Sequence, residues 1–189
     1  MRPAIRYLLI HVAIAAAVLA GPVVALAEPK LEMHRAGVSA DDGSGWHLAV
    51  SNKGSFSVLL PIPFNDFTTR DAQTGEITHV VGGKSSEGIK FVAVELPPGN
   101  KPPPDLASIP KTLAANPANK VSDVGRGTSG DAEILTLTVS DGAKTMYMRC
   151  IAAKGARYTL TIEFPNAYRD LIAANKDRFF ESFKLKKNS

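Results

Sequence analysis

Between residues 132 and 164 the chain alternates apolar and polar residues in three runs separated by two tight turns. Alternation with a period of two is typical of strands that bury one face. Asp141-Gly142 and Lys154-Gly155 supply the turns, because glycine-containing pairs tolerate the positive φ angles of short hairpins. The pattern predicts a three-stranded antiparallel meander whose apolar residues share one face: Leu135, Leu137, Val139, Met146, Met148, Cys150, Tyr158, Leu160, Ile162 and Phe164.

The last predicted element is an amphipathic helix over residues 167–183. Pro165 ends the meander, and Asn166 can cap the helix that follows. We expect the apolar stripe of this helix to pack on the apolar face of the meander and to bury Cys150 there. The stripe consists of Tyr168, Leu171, Ile172, Phe179 and Phe183.

Upstream of the meander, four shorter strands are predicted, over residues 46–51, 55–61, 76–81 and 88–96. The last of them is apolar on both sides, which is typical of a central strand covered on both faces. Residues 97–104 are rich in proline and predict an extended loop, after which Asp105 begins a short helix. Together these elements predict one α+β domain over residues 46–189, an antiparallel sheet with packed helices. Residues 28–45, rich in turn-forming residues, are expected to be a flexible N-terminal arm.

The first 27 residues have the organisation of a secretory signal. Arg2 and Arg6 form a basic start, residues 7–20 are almost continuously apolar, and a Gly-Pro pair precedes the Ala-Leu-Ala sequence that ends at residue 27. This order predicts a signal peptide that is cleaved after residue 27. The alternative is an uncleaved anchor, since about 20 apolar residues can span a membrane. With cleavage, the mature chain is expected to be periplasmic or secreted, without a membrane span.

Composition narrows the possible functions. The chain of 189 residues carries a net charge of +4, and loss of Arg2 and Arg6 with the signal reduces it to +2. This small, dispersed charge argues against a nucleic-acid partner. Cys150 is the single cysteine, so no disulfide can form within the chain, and a lone thiol in an oxidising compartment is expected to be buried.

Three sequence segments carry a resemblance to the PsbP-like fold. They are FSVLLP at residues 56–61, RYTLTI at residues 157–162 and the SFK ending at residues 182–184. Over about residues 46–185, the chain resembles the members of this fold family. They include photosystem PsbP proteins, bacterial DcrB-like envelope proteins and a Ran-binding nuclear factor. It implies an α+β fold and a role as a binding or accessory module without catalysis. The cysteine to which lipoprotein members attach lipid is missing from the end of the signal.

No catalytic, cofactor-binding or metal-binding residues are predicted. His34, His47 and His79 are too scattered for a metal tract and are interpreted as structural or solvent-facing. Cys150 is expected to point inward, where burial raises the pKa of a thiol and removes the thiolate that a cysteine hydrolase needs. The GRGTSG segment at residues 125–130 lacks the lysine of a phosphate loop and is interpreted as a flexible hairpin connection.

The polar side of the meander is the predicted interaction surface. Tyrosine and arginine are enriched as anchors at protein interfaces; the alternative is an ordinary solvated face with charge pairs. The candidate residues are Tyr147, Arg149, Thr159, Thr161 and Glu163, with Thr136 and Thr138 beside them.

Three functions follow from these observations. The first is an exported, non-catalytic accessory or protein-binding module whose partner is an unknown envelope protein. The second is a carrier of a small apolar ligand held between sheet and helix, near Phe179 and Met148. The third is a hydrolase, for which the sequence offers no cleft of histidine, carboxylate and nucleophile.

Overall fold

A computed structural model describes residues 29–38, 43–99 and 105–186. The predicted signal and most of the proline-rich loop lie outside these residues. The described part contains eleven strands: β1 (Lys30–Val38), β2 (His47–Val50), β3 (Phe56–Leu60), β4 (Phe64–Arg70), β5 (Ile77–Lys84), β6 (Lys90–Leu96), β7 (Lys120–Ser129), β8 (Ala132–Ser140), β9 (Lys144–Ala153), β10 (Ala156–Pro165) and β11 (Lys184–Leu185). Its helices are α1 (Ile109–Ala114) and α2 (Arg169–Glu181), each preceded by a 3-10 turn, Leu106–Ser108 and Asn166–Tyr168.

Eight strands form one antiparallel sheet in the order β1-β4-β5-β6-β10-β9-β8-β7. Strands β11, β3 and β2 form a second, three-stranded sheet. The meander β8-β9-β10 and the C-terminal helix are present as predicted. Strand β6 lies between β5 and β10 near the centre of the large sheet, which agrees with its apolar residues on both sides. The fold is α+β, with the sheet as its dominant part.

The large sheet has two buried faces. We call the side that carries Ala93, Leu160 and Ile162 the helix face, because helix α2 and the small sheet pack on it. Phe179 of α2 meets Phe91 edge-on, with ring centroids 5.4 Å apart, and Phe56 of β3 meets Tyr158 at 6.1 Å. These rings belong to the largest apolar cluster of the described residues.

The opposite side, called the far face, carries Val92, Cys150 and Thr161. Its β7-β8-β9 half is covered by Leu106 and helix α1, which close a cluster with Leu135, Leu137, Val139, Met148 and Cys150. A smaller cluster of Phe67, Val80 and Val92 lies on the β4-β5-β6 half. The large sheet is therefore the middle layer of the fold, with apolar packing on both sides.

Three local predictions need correction. Residues 30–38 are not a loose arm but the edge strand β1, which pairs with β4 and places Leu31 beside the third apolar cluster. The prediction of an arm came from the turn-forming residues 41–45, whereas residues 30–38 are held by their pairing with β4. The GRGTSG segment is mostly strand, since β7 continues to Ser129, and only Gly130 lies in the turn. In α2, Leu171 faces solvent while Phe180 is buried.

Candidate functional site

The five residues of the predicted interaction surface do not share a face. In the β9-β10 pair, Cys150 lies opposite Thr159, and Arg149 lies opposite Leu160. Residues directly opposite each other in a sheet point to the same side. Tyr147 and Arg149 therefore lie on the helix face, whereas Thr159, Thr161 and Glu163 lie on the far face.

The β9-β10 turn explains why these five residues do not share a face. Only Lys154 and Gly155 separate the paired residues Ala153 and Ala156, and both turn residues have positive φ angles. A two-residue loop pairs each odd-numbered residue of one strand with an even-numbered residue of the other. The apolar even residues of β9 are thus set against the polar odd residues of β10, and a shift of one residue changes the face of every side chain.

Tyr147 and Arg149 are part of the packing under helix α2. The Arg149 guanidinium carbon lies 4.9 Å from the centre of the Phe180 ring, and the Lys176 amine lies 4.9 Å from the centre of the Tyr147 ring. Burial lowers the pKa of Arg149, and the charges of Glu181 and Asp177 oppose that shift. The two side chains predicted as anchors for a partner are used by the chain's own helix.

On the far face, Glu163 is held by two lysines. Its Oε1 atom lies 3.0 Å from the amine of Lys90, which is itself buried, and 3.1 Å from that of Lys144. Burial alone would raise the pKa of Glu163, but the hydrogen bonds and charges of the two lysines outweigh it and lower the pKa. This ion pair joins β6, β9 and β10.

Cys150 is buried as predicted, but on the other face. It packs with Leu106 and Leu135 rather than under helix α2, and burial raises the pKa of its thiol to about 11. Thr159 is its hydroxyl neighbour at 4.0 Å. Phe179 and Met148 consequently lie on opposite sides of the large sheet, so they cannot line one ligand pocket.

The structure instead brings charged groups together around the turn between β2 and β3, residues 51–55. Two amides of this turn donate to carboxylates of the large sheet: Asn52 N to Asp66 Oδ2 at 2.8 Å, and Ser55 N to Glu95 Oε2 at 2.7 Å. The carbonyl of Gly54 accepts a hydrogen bond from Lys186 Nζ at 2.8 Å. The turn thus directs its amides to anions and its carbonyl groups to a cation, which is the arrangement that electrostatics favours.

Both carboxylates are buried and have further partners. Asp66 Oδ2 also accepts from Arg35, whose Nη2 lies 2.6 Å away and also donates to the carbonyl of Val50. Glu95 accepts from the hydroxyls of Ser55 and Tyr158, and burial raises the pKa of that tyrosine. Charged atoms from β1, β4 and β6 therefore fasten the small sheet to the large one.

A row of polar side chains continues across the helix face from Glu95. His79 lies opposite Glu95 in the β5-β6 pair, and its Nδ1 atom is 3.0 Å from the Thr68 hydroxyl. The same hydroxyl is 2.8 Å from Nε2 of His34. Burial lowers the pKa of His79, and the charge of Glu95 opposes that shift. A threonine hydroxyl links the two imidazoles. Among residues 29–38, 43–99 and 105–186, no three histidine, cysteine or acidic side chains are grouped to hold a metal ion.

Two shallow recesses flank the turn and share Lys186. The larger, of about 320 Å³, is lined by Arg35, Val50, Ser51, Asn52 and Lys186. The smaller, of about 160 Å³, is lined by Ser55, Glu95, Pro98, Lys154, Ala156, Tyr158, Leu185 and Lys186. We call the turn and its two recesses the turn site. Its surface is basic, because Asp66 and Glu95 lie buried beneath exposed or half-exposed cations.

Sequence reasoning missed the turn site, although one signal was present. Asp66 and Glu95 are the single acidic residues of strands β4 and β6, and the residues next to them in the sequence are uncharged. A carboxylate in such a position is seldom buried without a partner. The partners, however, come from Asn52 and Ser55, which are 14 and 40 residues away along the chain.

Comparison with known proteins gives structural matches alone. No family model and no curated protein matches the chain. Cyanobacterial PsbP (CyanoP) from Synechocystis sp. PCC 6803 matches with a TM-score of 0.41 at 12% identity, over 87% of this chain and 98% of that one. LpqN, described as involved in cell envelope biogenesis of Mycobacterium tuberculosis, matches with a TM-score of 0.34 at 13% identity, over 88% and 90%. A PsbP protein is thus among the solved structures to which this chain is similar, as the sequence resemblance predicts.

Proposed function

We propose that the chain is an exported, non-catalytic accessory module that acts by binding another protein. The observation that carries this proposal is the filled interior between helix α2 and the large sheet. Phe91, Phe164 and Phe179 are each less than 5% exposed there, and their rings contact neighbouring rings at centroid distances of 5.1–5.4 Å. With that space occupied by side chains, recognition takes place on the outer surface.

The same packing disfavours a carrier of a small apolar ligand. Ligand sites are usually concave, mostly apolar and large enough to enclose most of the ligand. The two recesses of the turn site are shallow, and charged or polar groups make up much of their lining. We expect native mass spectrometry of the mature chain, purified from its own host, to give the mass of the polypeptide alone. A retained apolar molecule would support the carrier instead.

The chemistry of the turn site also favours a structural role for its reactive groups. Ser55, Glu95 and Tyr158 could in principle combine a nucleophile with a base. The Glu95 carboxylate, however, accepts hydrogen bonds from both the amide and the hydroxyl of Ser55. Ser55 and Glu95 therefore hold the turn in place. A hydrolase would also need backbone amides directed at the developing oxyanion, and the amide next to the Ser55 hydroxyl already donates to Glu95.

Export is proposed from the N-terminal sequence. No helix in the described ranges is long and apolar enough to cross a membrane. We expect the mature protein in the envelope fraction to begin at Glu28, as measured by the mass of its N-terminal peptide. An N-terminus at residue 1 in the membrane fraction would indicate the anchored alternative.

Binding of a protein can be tested by site-specific photocrosslinking in the native host. A photoreactive amino acid is placed at one of three well-exposed apolar positions, Leu48, Val124 or Leu171. The proposal predicts that at least one position gives a single crosslinked product, whose mass is the same in repeated experiments. Absence of any crosslinked protein from all three, with normal export and folding, would contradict it.

A further inference from the structure

Four strands lie at the outer ends of the two sheets, and they differ in regularity. Strand β1 contains two register shifts between Met33 and Val38, β7 contains one between Ser122 and Gly125, and β11 has only two residues. Bulges, charges and short length are the usual ways in which edge strands avoid pairing with other chains. Strand β2 pairs with β3 without a shift, and no strand of the described residues pairs with its other side. At the end of that side, the Val50 carbonyl already accepts a hydrogen bond from Arg35.

The outward side chains of β2 are apolar. Leu48 is 52% exposed and Val50 is 38% exposed, while Ala49 between them is fully buried. Large apolar side chains are well exposed at five described positions, and two of these positions fall on this four-residue strand: Met33, Leu48, Val50, Val124 and Leu171. An outward apolar pair on a regular edge strand is the surface that strand addition uses, with backbone hydrogen bonds for affinity and alternate side chains for specificity.

The charge beside this edge is positive. The larger recess of the turn site begins at Val50 and is lined by the cations Arg35 and Lys186. Lys53 is exposed in the adjoining turn. The nearby carboxylate of Asp66 is buried and accepts hydrogen bonds from Arg35, so it does not reach the surface. A segment lying along β2 would therefore pass from an apolar edge to a basic recess.

We propose that β2 and the larger recess dock an extended acidic segment of a protein partner. The segment pairs with the backbone of β2 around Leu48, since Arg35 already binds the Val50 carbonyl. It covers Leu48 and Val50 with apolar side chains and directs a carboxylate towards Arg35 and Lys186. This inference rests on the proposed function as a protein-binding module and names the surface and the partner's chemistry. Complementary charge favours this occupant over a second copy of the chain, whose β2 edge would bring a second basic recess to the contact.

The test is photocrosslinking from position 48, with position 171 as the matched control. Leu171 is 57% exposed and lies on the outer side of α2, so a crosslinker there has similar access to solvent. Position 48 is expected to capture one protein, and mass spectrometry is expected to place the crosslink in an acid-rich segment. A partner captured from position 171 or 124 but not from 48 would overturn the inference and leave the proposed function intact.

Charge reversal distinguishes an acidic partner from other occupants. Lys53→Glu is added to the crosslinking chain, and Lys111→Glu, at another exposed lysine remote from β2, serves as control. We expect Lys53→Glu to lower the crosslinked yield roughly three- to tenfold, and Lys111→Glu to leave it unchanged, because charges at the rim of an interface act mainly on association. Equal yields would overturn the acidic assignment. Thermal unfolding of both variants confirms that the fold is retained.

A lipid surface and a second copy are the other outcomes. Sedimentation with phosphatidylglycerol vesicles that is sensitive to Lys53→Glu, without any protein crosslink, would assign the basic edge to anionic lipid and overturn both proposals. A crosslinked product with the mass of two copies would assign β2 to self-association and overturn the acidic-partner inference.

Discussion

The two faces of the large sheet are packed in different ways. The helix face carries interlocking aromatic rings from both sheets and α2, whereas the half of the far face that surrounds Cys150 is packed with leucine, valine and methionine under the short α1 segment. Rings held by other rings can move little when a neighbour is removed, while unbranched methionine side chains can shift to fill a gap. We therefore expect the helix face to contribute the larger share of stability and the far face to tolerate change better.

The largest effect is expected for Phe179→Ala on the helix face. Phe179 is fully buried against Phe91 and Phe180, so its truncation should cost about 3–5 kcal/mol of unfolding free energy. Phe183→Ala, at a partly buried ring stacked on Phe56, should cost about 2 kcal/mol. Urea unfolding of both variants measures the difference. Equal small losses would mean that α2 is not packed on the sheet in this way.

A matched pair of leucines compares the faces directly. Leu160 on the helix face and Leu135 on the far face are both at most 1% exposed. We expect Leu160→Ala to cost about 4 kcal/mol and Leu135→Ala about 3 kcal/mol, because Met148 and α1 can partly fill the second cavity. The same urea series gives both values. A larger loss for Leu135→Ala would reverse the ranking of the two faces.

A smaller, pH-dependent effect is expected at Glu163 on the far face. A carboxyl whose pKa is lower in the folded chain stabilises the fold above its unfolded pKa, here near 4.5, and that contribution is lost as the pH falls through the folded value. Between pH 5 and pH 3, the urea midpoint of the Glu163→Gln variant should therefore fall less than that of the unmodified chain.

The control for this profile is Glu133→Gln, which removes an exposed carboxyl of β8 that makes no ion pair within the described residues. Its profile should follow that of the unmodified chain. If Glu133→Gln flattened the profile as much as Glu163→Gln, the pairing of Glu163 with Lys90 and Lys144 would not be the cause.

The smallest effect on stability is expected at Cys150. Its thiol is buried with a pKa raised to about 11, so a thiol reagent at pH 8 should modify the folded chain far more slowly than the urea-unfolded chain. Cys150→Ala should cost about 1 kcal/mol, since it removes one small buried atom. Rapid modification of the folded chain would place the sulfur at the surface and reopen the possibility of an active thiol.

Much of the fold was predictable from local patterns, and one error was avoidable. The alternation in β8, β9 and β10 and the Asp141 and Lys154 turns are visible in the sequence and appear in the structure. Since Lys154 and Gly155 form a two-residue loop, the opposition of Cys150 and Thr159 follows from counting residues. That count would have separated Tyr147 and Arg149 from the three other residues of the predicted surface.

The candidate site was less predictable, for a physical reason. The turn site depends on Asp66 and Glu95 of the large sheet meeting amides of the β2-β3 turn, and on Lys186 reaching the turn from the far end of the chain. No periodicity encodes contacts between residues separated by up to 132 positions. The exposure of Leu48 and Val50 is equally nonlocal, because it depends on where the small sheet ends.

By itself, the sequence determined the strands and turns of the meander and the position of the final helix, since these depend on side-chain period, proline and glycine. Strands β1, β4 and β7 were not predicted from it. Only the tertiary structure decided which side of each strand is covered and by what. The reason is that a period of two marks two sides of a strand without saying which is buried, and here both sides of the large sheet are. The covering of each side is determined by the hairpin register, by the docking of α2 and by the ion pairs around the turn site.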